Sequence, residues 1–259
     1  MAPISPLNFS ARSFRPATPL KLHRIDAANR KAFNVTLEKL STGKRINRGA
    51  DDPSGLITSE NLRAVLTVLD AESRSAKRTQ QVAEVADSAL GEIGSLLGEA
   101  ETLAVANANT AGVSDAERAA NQMEMDSILS TVNRLAGSAS FNGDPLLNGE
   151  ATLSAFGESF TIDAVSVGAV NITSGDLEAA QQRLSDTRKQ ISTMRGGLGA
   201  FSTNTVGANL RSINTTKESI ATALSQIRDT DFAKETAKLA GLTVLMKASQ
   251  MAQQIDLQA

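Results

Sequence analysis

At 259 residues and 41% hydrophobic content the chain is long enough to bury a substantial core, yet aromatics make up only 3% and there is no Trp or Tyr. Packing therefore falls to Ala, Leu, Ile and Val, which suits close helix seams better than an aromatic-centred core. The absence of Cys excludes disulfides, thiolate catalysis and cysteine metal sites, and a single His23 leaves little imidazole chemistry.

Net charge is −2, but residues 1–48 carry ten Lys and Arg against Asp26 and Glu38, leaving +8 there and −10 in the remainder. Residues 1–36 read as a basic, flexible amino-terminal arm, and Pro3, Pro6, Pro16 and Pro19 oppose a helix interior. Its Ser, Arg and Pro content has the character of an organelle transit peptide, but it lacks the apolar core of a cleavable secretory signal. No apolar run approaches the ~18 residues of a membrane helix, so membrane insertion is not expected.

The first helix start is written at Asp51, Asp52 and Pro53, a carboxylate cap followed by proline at the first helical position. From about Leu56 to Asn107 the pattern is helical, and Val82, Ala86, Ala89, Ile93, Leu96, Ala100 and Leu103 step by four and three as an a/d seam. About fifty residues at 1.5 Å each predict a rod of roughly 75 Å that needs neighbours along its length. After a turn at Thr110 to Asp115, Ser114 and Glu117 have the spacing of a capping box for a helix running to about Gly137. The short connection predicts antiparallel packing. Ser140 to Gly149, SFNGDPLLNG, demands turns.

Alternation between Leu153 and Thr173 pairs Phe160 with Ile162, Val165 with Val167 and Val170 with Ile172, predicting short strands in one or two hairpins laid against the helices. A third long helix opens after Ser174 and Gly175. Its seam runs Leu177, Ala180, Leu184, Thr187, Ile191, Met194, Leu198 and Phe201, then Val206, Leu210, Ile213, Lys217, Ile220, Leu224 and Ile227. The heptads predict left-handed supercoiling. Gly196, Gly197 and Gly199 mark a bend or a close backbone contact, and helical drift places Lys217 at the seam's edge rather than its centre.

No phosphate-binding loop, dinucleotide fingerprint, HExxH, EF-hand loop or CxxC pair occurs, so neither an enzyme nor a cofactor or metal protein is expected. Asp51 and Asp52 read as helix caps rather than an acid–base couple. Asp229 and Asp231 fall short of a calcium site and instead start or solvate the last helix. Lys44, Arg45 and Arg48 have no interleaved aromatics to stack bases, so nucleic acid is not an expected partner.

Two distant blocks carry a family resemblance: LEKLSTGKRINRGADDPSGL from Leu37 to Leu56 and IRDTDFAKETAKLAGLTVL from Ile227 to Leu245. With SFNGDPLLNG and RGGLGAF they make the chain resemble bacterial flagellin over about Leu37 to Asn148 and Leu177 to Ala248. The resemblance implies a mainly α fold, a long antiparallel coiled-coil core with a small β-hairpin region. Its expected divisions are an arm at 1–36, an amino-terminal helical half at 37–137, turns and hairpins at 138–175, a long helix at 176–228 and a truncated terminal helix at 229–259.

The implied function is a structural, self-assembling subunit of the extracellular flagellar filament. It would be exported without a cleavable signal through the flagellar export apparatus with a chaperone, and would meet hook-associated proteins. A hook-filament junction protein is the close relative within this class, and a non-polymerising helical interaction protein is the alternative. The resemblance assigns subunit or inter-domain contacts to the segment holding Arg45, Asn47, Asp51, Asp52 and Pro53. The short interval before the third helix implies a minimal member without an outer domain. Where relatives carry an arginine-bearing receptor-recognition segment this chain has LGEAETLAVA, Leu97 to Ala106, and Glu99 and Glu101 predict weak host-receptor recognition.

Overall fold

A computed structural model describes residues 19–108, 112–173 and 177–256. Six α-helices dominate: α1 (Pro19–Thr42), α2 (Pro53–Ala108), α3 (Asp115–Ser138), α4 (Leu177–Ala200), α5 (Ala208–Arg228) and α6 (Phe232–Asp256). Four short strands, β1 (Ser140–Phe141), β2 (Asp144–Pro145), β3 (Thr152–Ala155) and β4 (Glu158–Thr161), pair as two antiparallel hairpins. The chain divides into two units: one holds residues up to Ala64 together with those from Ile220, the other holds Val65–Ser219.

The Val65–Ser219 unit contains most of the core. Its buried row on α2 is Ala76, Ala83, Ala86, Leu90, Ile93, Leu97, Ala100 and Ala104. Of the seam expected there, Ala86, Ile93 and Ala100 are fully buried, whereas Val82, Ala89, Leu96 and Leu103 are only partly buried and flank the row. The reason is geometric. A helix covered on one side by α3 and the hairpins and on another by α4 buries a stripe wider than a two-helix seam.

The α4 seam is deeper: Leu184, Ile191, Met194 and Leu198 are all buried, each side chain contributing about 1.5–3 kcal/mol by removal from water. Ion pairs Asp87–Arg195 at 2.8 Å and Glu101–Arg188 at 2.5 Å, with Asp70–Lys217 further along, run in opposite chain order and define an antiparallel pairing of α2 with α4 and α5. Lys217 thus sits at the seam's edge, holding Asp70. Between α4 and α5, Phe201–Gly207 forms a π-helix. Its wider turn spans the five-residue step from Phe201 to Val206 and keeps both side chains, and then Leu210 and Ile213, buried.

Of the three glycines in this region, Gly197 makes the close contact: a Cβ there would lie 2.7 Å from Phe160 Cε2, whereas none would touch anything at Gly196 or Gly199. Phe160 in turn stacks on Phe201 with ring centroids 6.0 Å apart.

Ser114 and Glu117 form the capping box that opens α3, with Ser114 N–H donating to Glu117 Oε2 at 2.8 Å and Glu117 N–H donating to Ser114 Oγ at 3.3 Å. The turn β1–β2 places Asn142 and Gly143 at φ 55° and 93°, the left-handed pair that favours Asn-Gly. Alternation at Phe160 and Ile162 belongs to β4 and its exit, but the expected strands through Val165 to Ile172 are absent among the described residues. This segment has no regular secondary structure and buries Val165, Val167, Val170 and Ile172 without a strand partner. Side-chain amides of α3 take the partner's place. Asn133 donates to Val167 O at 2.9 Å and accepts from Val167 N–H at 3.0 Å; Gln122 donates to Val170 O at 2.9 Å and accepts from Ile172 N–H at 2.7 Å. Buried backbone polar groups require such partners.

In the other unit α1 and α6 pack together as an antiparallel pair. Helix α1 begins at Pro19, so residues 19–36 are helical rather than a flexible arm. Proline is compatible with the first position of a helix because its missing N–H would be unpaired there anyway. Pro3, Pro6 and Pro16, the expected helix opening at Ser174 and Gly175, and Thr110 in the preceding turn lie outside the described residues.

Candidate functional site

The ten residues between α1 and α2, with Pro53 at the start of α2, carry every non-seam candidate, and the structure brings them to one junction. Helix α1 ends at Thr42, and Gly43 at φ 68° provides the left-handed cap that a Cβ disfavours. The chain then pairs with the stretch between α5 and α6. Arg45 N–H donates to Arg228 O at 2.7 Å, Thr230 N–H donates to Gly43 O at 3.0 Å, and Lys44 forms an antiparallel bridge with Asp229. Arg45 Nη2 also donates to Ile227 O at 2.5 Å, meeting a carbonyl at the end of α5. Two segments 182 residues apart are therefore joined by backbone and side-chain bonds together.

The acidic pair divides its labour. Asp52 precedes Pro53 and caps α2: its Oδ1 accepts from Gly55 N–H at 2.9 Å and its carbonyl from Leu56 N–H at 2.9 Å. Asp51 does something the sequence reading did not assign. Its Oδ2 accepts from Arg48 N–H at 2.9 Å and Asn47 N–H at 3.0 Å, folding the loop around one carboxylate. These two backbone donors hold the Asp51 carboxyl below the usual carboxylate range. Asn47 adds a bond from Nδ2 to Lys44 O at 3.1 Å, and Arg48 makes a bidentate pair with Glu38 of α1, at 2.9 and 3.0 Å from one Nη2. Arg45 also lies 3.8 Å from Asp52.

Beneath the loop Ile46 is fully buried, and a Cβ on Gly55 would come within 2.8 Å of its Cδ1. Arg228 reaches Glu60 at 2.7 Å and holds that exposed carboxyl below its usual range. On the other side Asp231 caps α6, accepting from Lys234 N–H at 3.1 Å, and Asp229 accepts from Ser225 Oγ at 2.6 Å. Ile220, Leu224 and Ile227, expected on the seam, are half-buried here, whereas Ile213 in the other unit is buried. Sequence reasoning missed Gly43, Glu38, Glu60 and Thr230. A glycine directly after a helical run was the one readable signal.

Chemically the junction caps helices and closes a loop: the side chains of Arg45, Arg48, Asp51, Asp52, Asp229 and Asp231 each have a backbone or side-chain partner, and Arg228 reaches Glu60 through Nη1 while its Nε is buried without one. Among the described residues no group of three or more His, Cys, Asp or Glu is placed to hold a metal, and no helix is long and apolar enough to cross a membrane.

Such a junction between long paired helices belongs to a structural helical protein built from both ends of its chain. The sequence matches the bacterial flagellin N-terminal helical region over residues 17–152 and the bacterial flagellin C-terminal helical region over residues 181–257. Flagellin of Halalkalibacterium halodurans is 29% identical over 89% of this chain and 90% of its own. Flagellin FlaB2 of Treponema pallidum is 31% identical over 85% of this chain and 89% of its own. Among solved structures, a putative flagellar hook-associated protein from Vibrio parahaemolyticus shares the fold, with a TM-score of 0.60 and 12% identity over 69% of this chain and 100% of that one.

The chain belongs to the bacterial flagellin family. It is a structural subunit that polymerises into the extracellular flagellar filament, and not an enzyme.

Proposed function

We propose that the chain reaches the filament by passing unfolded, without a cleaved signal, through the flagellar export apparatus with an export chaperone, and that it then assembles beside hook-associated proteins. We further assign the Gly43–Asp52 junction the task of coupling the terminal helices to the core helices during that assembly. The carrying observation is the pairing of Gly43 and Arg45 with Arg228 and Thr230, which makes the end of α1 and the start of α6 fold as one element. Neither terminal helix can take its place until both ends of the chain have emerged. The short interval between β4 and α4 supports a minimal subunit without an outer domain.

Purified protein seeded with filament fragments or ammonium sulfate and viewed by electron microscopy tests the reading. Long tubes are expected from the native chain. Arg45→Ala removes the clasp on Ile227 O and should slow growth while leaving core helicity intact. Persistent monomers from the native chain would instead favour a non-polymerising interaction protein.

A further inference from the structure

The α1–α6 pair buries polar side chains beside apolar Leu242 and leaves other apolar side chains exposed. Thr36, Glu235 and Ser249 are buried and the Asp26 side chain is 14% exposed, while Ile25, Leu37, Val244, Leu245 and Met251 are exposed. On α6, Glu235, Leu242 and Ser249 recur every seven residues as its buried positions. Thr36 Oγ1, Glu235 Oε2 and Gln253 Nε2 are buried without a hydrogen bond, the Glu235 oxygen having only Lys238 Nζ at 3.8 Å. Polar residues at seam positions lower the stability of a helix pair, and what they supply is discrimination between pairings.

Two contacts define the pairing observed. Ser249 Oγ shares its one proton between Asp26 Oδ1 at 3.2 Å and Met246 O at 2.9 Å, and the same carboxylate takes Arg30 Nε at 2.8 Å on its other oxygen. At the far end the Phe232 ring lies against Gly43, where a Cβ would be 3.7 Å from Cζ. Counting inward along both helices sets Asn29 opposite Met246 and Phe33 opposite Leu242. A slip of one heptad in one direction sets Asp26 against Leu242, taking that carboxylate from Ser249 to an apolar surface. The opposite slip sets Ser249 against Phe33 and removes its bond to Asp26. An apolar seam with the same heptad spacing would accept all three pairings, because each slip merely exchanges one apolar contact for another.

We propose that Asp26 and Ser249 specify the register of the α1–α6 pair. The chain has no cysteine, so introduced pairs report register directly. Asn29→Cys with Met246→Cys reads the native pairing; Asn29→Cys with Leu239→Cys, and with Gln253→Cys, read the two slips. In the full-length chain, under conditions where circular dichroism shows the terminal helices formed, the native pair should cross-link roughly tenfold faster than either slipped pair. Adding Asp26→Leu with Ser249→Leu should bring one slipped pair within about threefold of the native one. Ser249→Ala, small enough to leave the helices intact, should lower the ratio in the same direction. Asp26→Asn keeps an acceptor for Ser249 and should preserve the native preference. A ratio unchanged in both Ser249 variants overturns the proposal, as does equal cross-linking of native and slipped pairs in the otherwise native chain.

Discussion

Gly196 and Gly197 are adjacent in sequence and are expected to respond to alanine with opposite signs. Replacing a helical glycine by alanine adds about 1 kcal/mol through helix propensity where space allows. At Gly196 no atom lies within 4 Å of the added Cβ, so that gain should appear nearly in full. At Gly197 the Cβ would stand 2.7 Å from Phe160 Cε2 and 3.1 Å from its Cζ, against a comfortable carbon separation of about 3.5–4.0 Å. The ring would have to move by about 1 Å, and its stacking on Phe201 at 6.0 Å resists that. Overpacking of this kind costs about 1–3 kcal/mol, so Gly197→Ala should be destabilised by about 0–2 kcal/mol and should lie about 1–3 kcal/mol below Gly196→Ala. Thermal unfolding followed by circular dichroism should separate the two variants by several degrees, taking about 2–4 °C per kcal/mol for a unit of this size. Equal melting temperatures, or a higher one for Gly197→Ala, would refute the assigned contact.

Leu184→Ala empties a fully buried position on α4 and should cost about 2–5 kcal/mol in urea unfolding, against a much smaller loss for Leu224→Ala at a half-buried position. Ser114→Ala removes the hydroxyl half of the α3 capping box and should cost about 1 kcal/mol, seen as a lower urea midpoint with unchanged slope. Asp51 carries a carboxyl lowered by the Arg48 and Asn47 amides, so its contribution is present above the unfolded Asp value of about 3.9 and is lost as pH falls through the lower folded value. An NMR titration should show the Asn47 and Arg48 amides shifting together with Asp51 below that value; an Asp51 titrating at or above it contradicts the loop geometry.

The helices were legible because their signals are local. Asp52-Pro53 starts α2 and Ser114 with Glu117 starts α3, and in each case the cap and its partner lie within a turn of one another. The α4 seam was equally direct, since Leu184, Ile191, Met194 and Leu198 form one buried row. Where a helix meets several neighbours, a single heptad line is too narrow a description: on α2 it caught Ala86, Ile93 and Ala100 but placed Val82, Leu96 and Leu103 one residue away from the deepest row. Alternation at Val165 to Ile172 correctly marked one buried face, yet period two cannot reveal that Asn133 and Gln122 supply the backbone partners. At the junction, Asp52 was readable from its neighbour Pro53, while the task of Asp51 depends on a loop closure, and that of Arg45 on a carbonyl 182 residues distant. Pro19 argued against helix only because its position as a first residue was not written in the adjoining sequence.

The π-helical turn at Phe201–Gly207 also bears on how this chain can change length. Removing one residue from it would shorten the step between Phe201 and Val206 to four and leave neighbouring seam steps of three, four, four and three, a spacing that a straight α-helix follows. A single deletion elsewhere in α4 or α5 would instead turn everything downstream by about 100° and carry half the seam to solvent. The wide turn is thus the stretch of this long helix where a one-residue deletion can be absorbed without rephasing the rest.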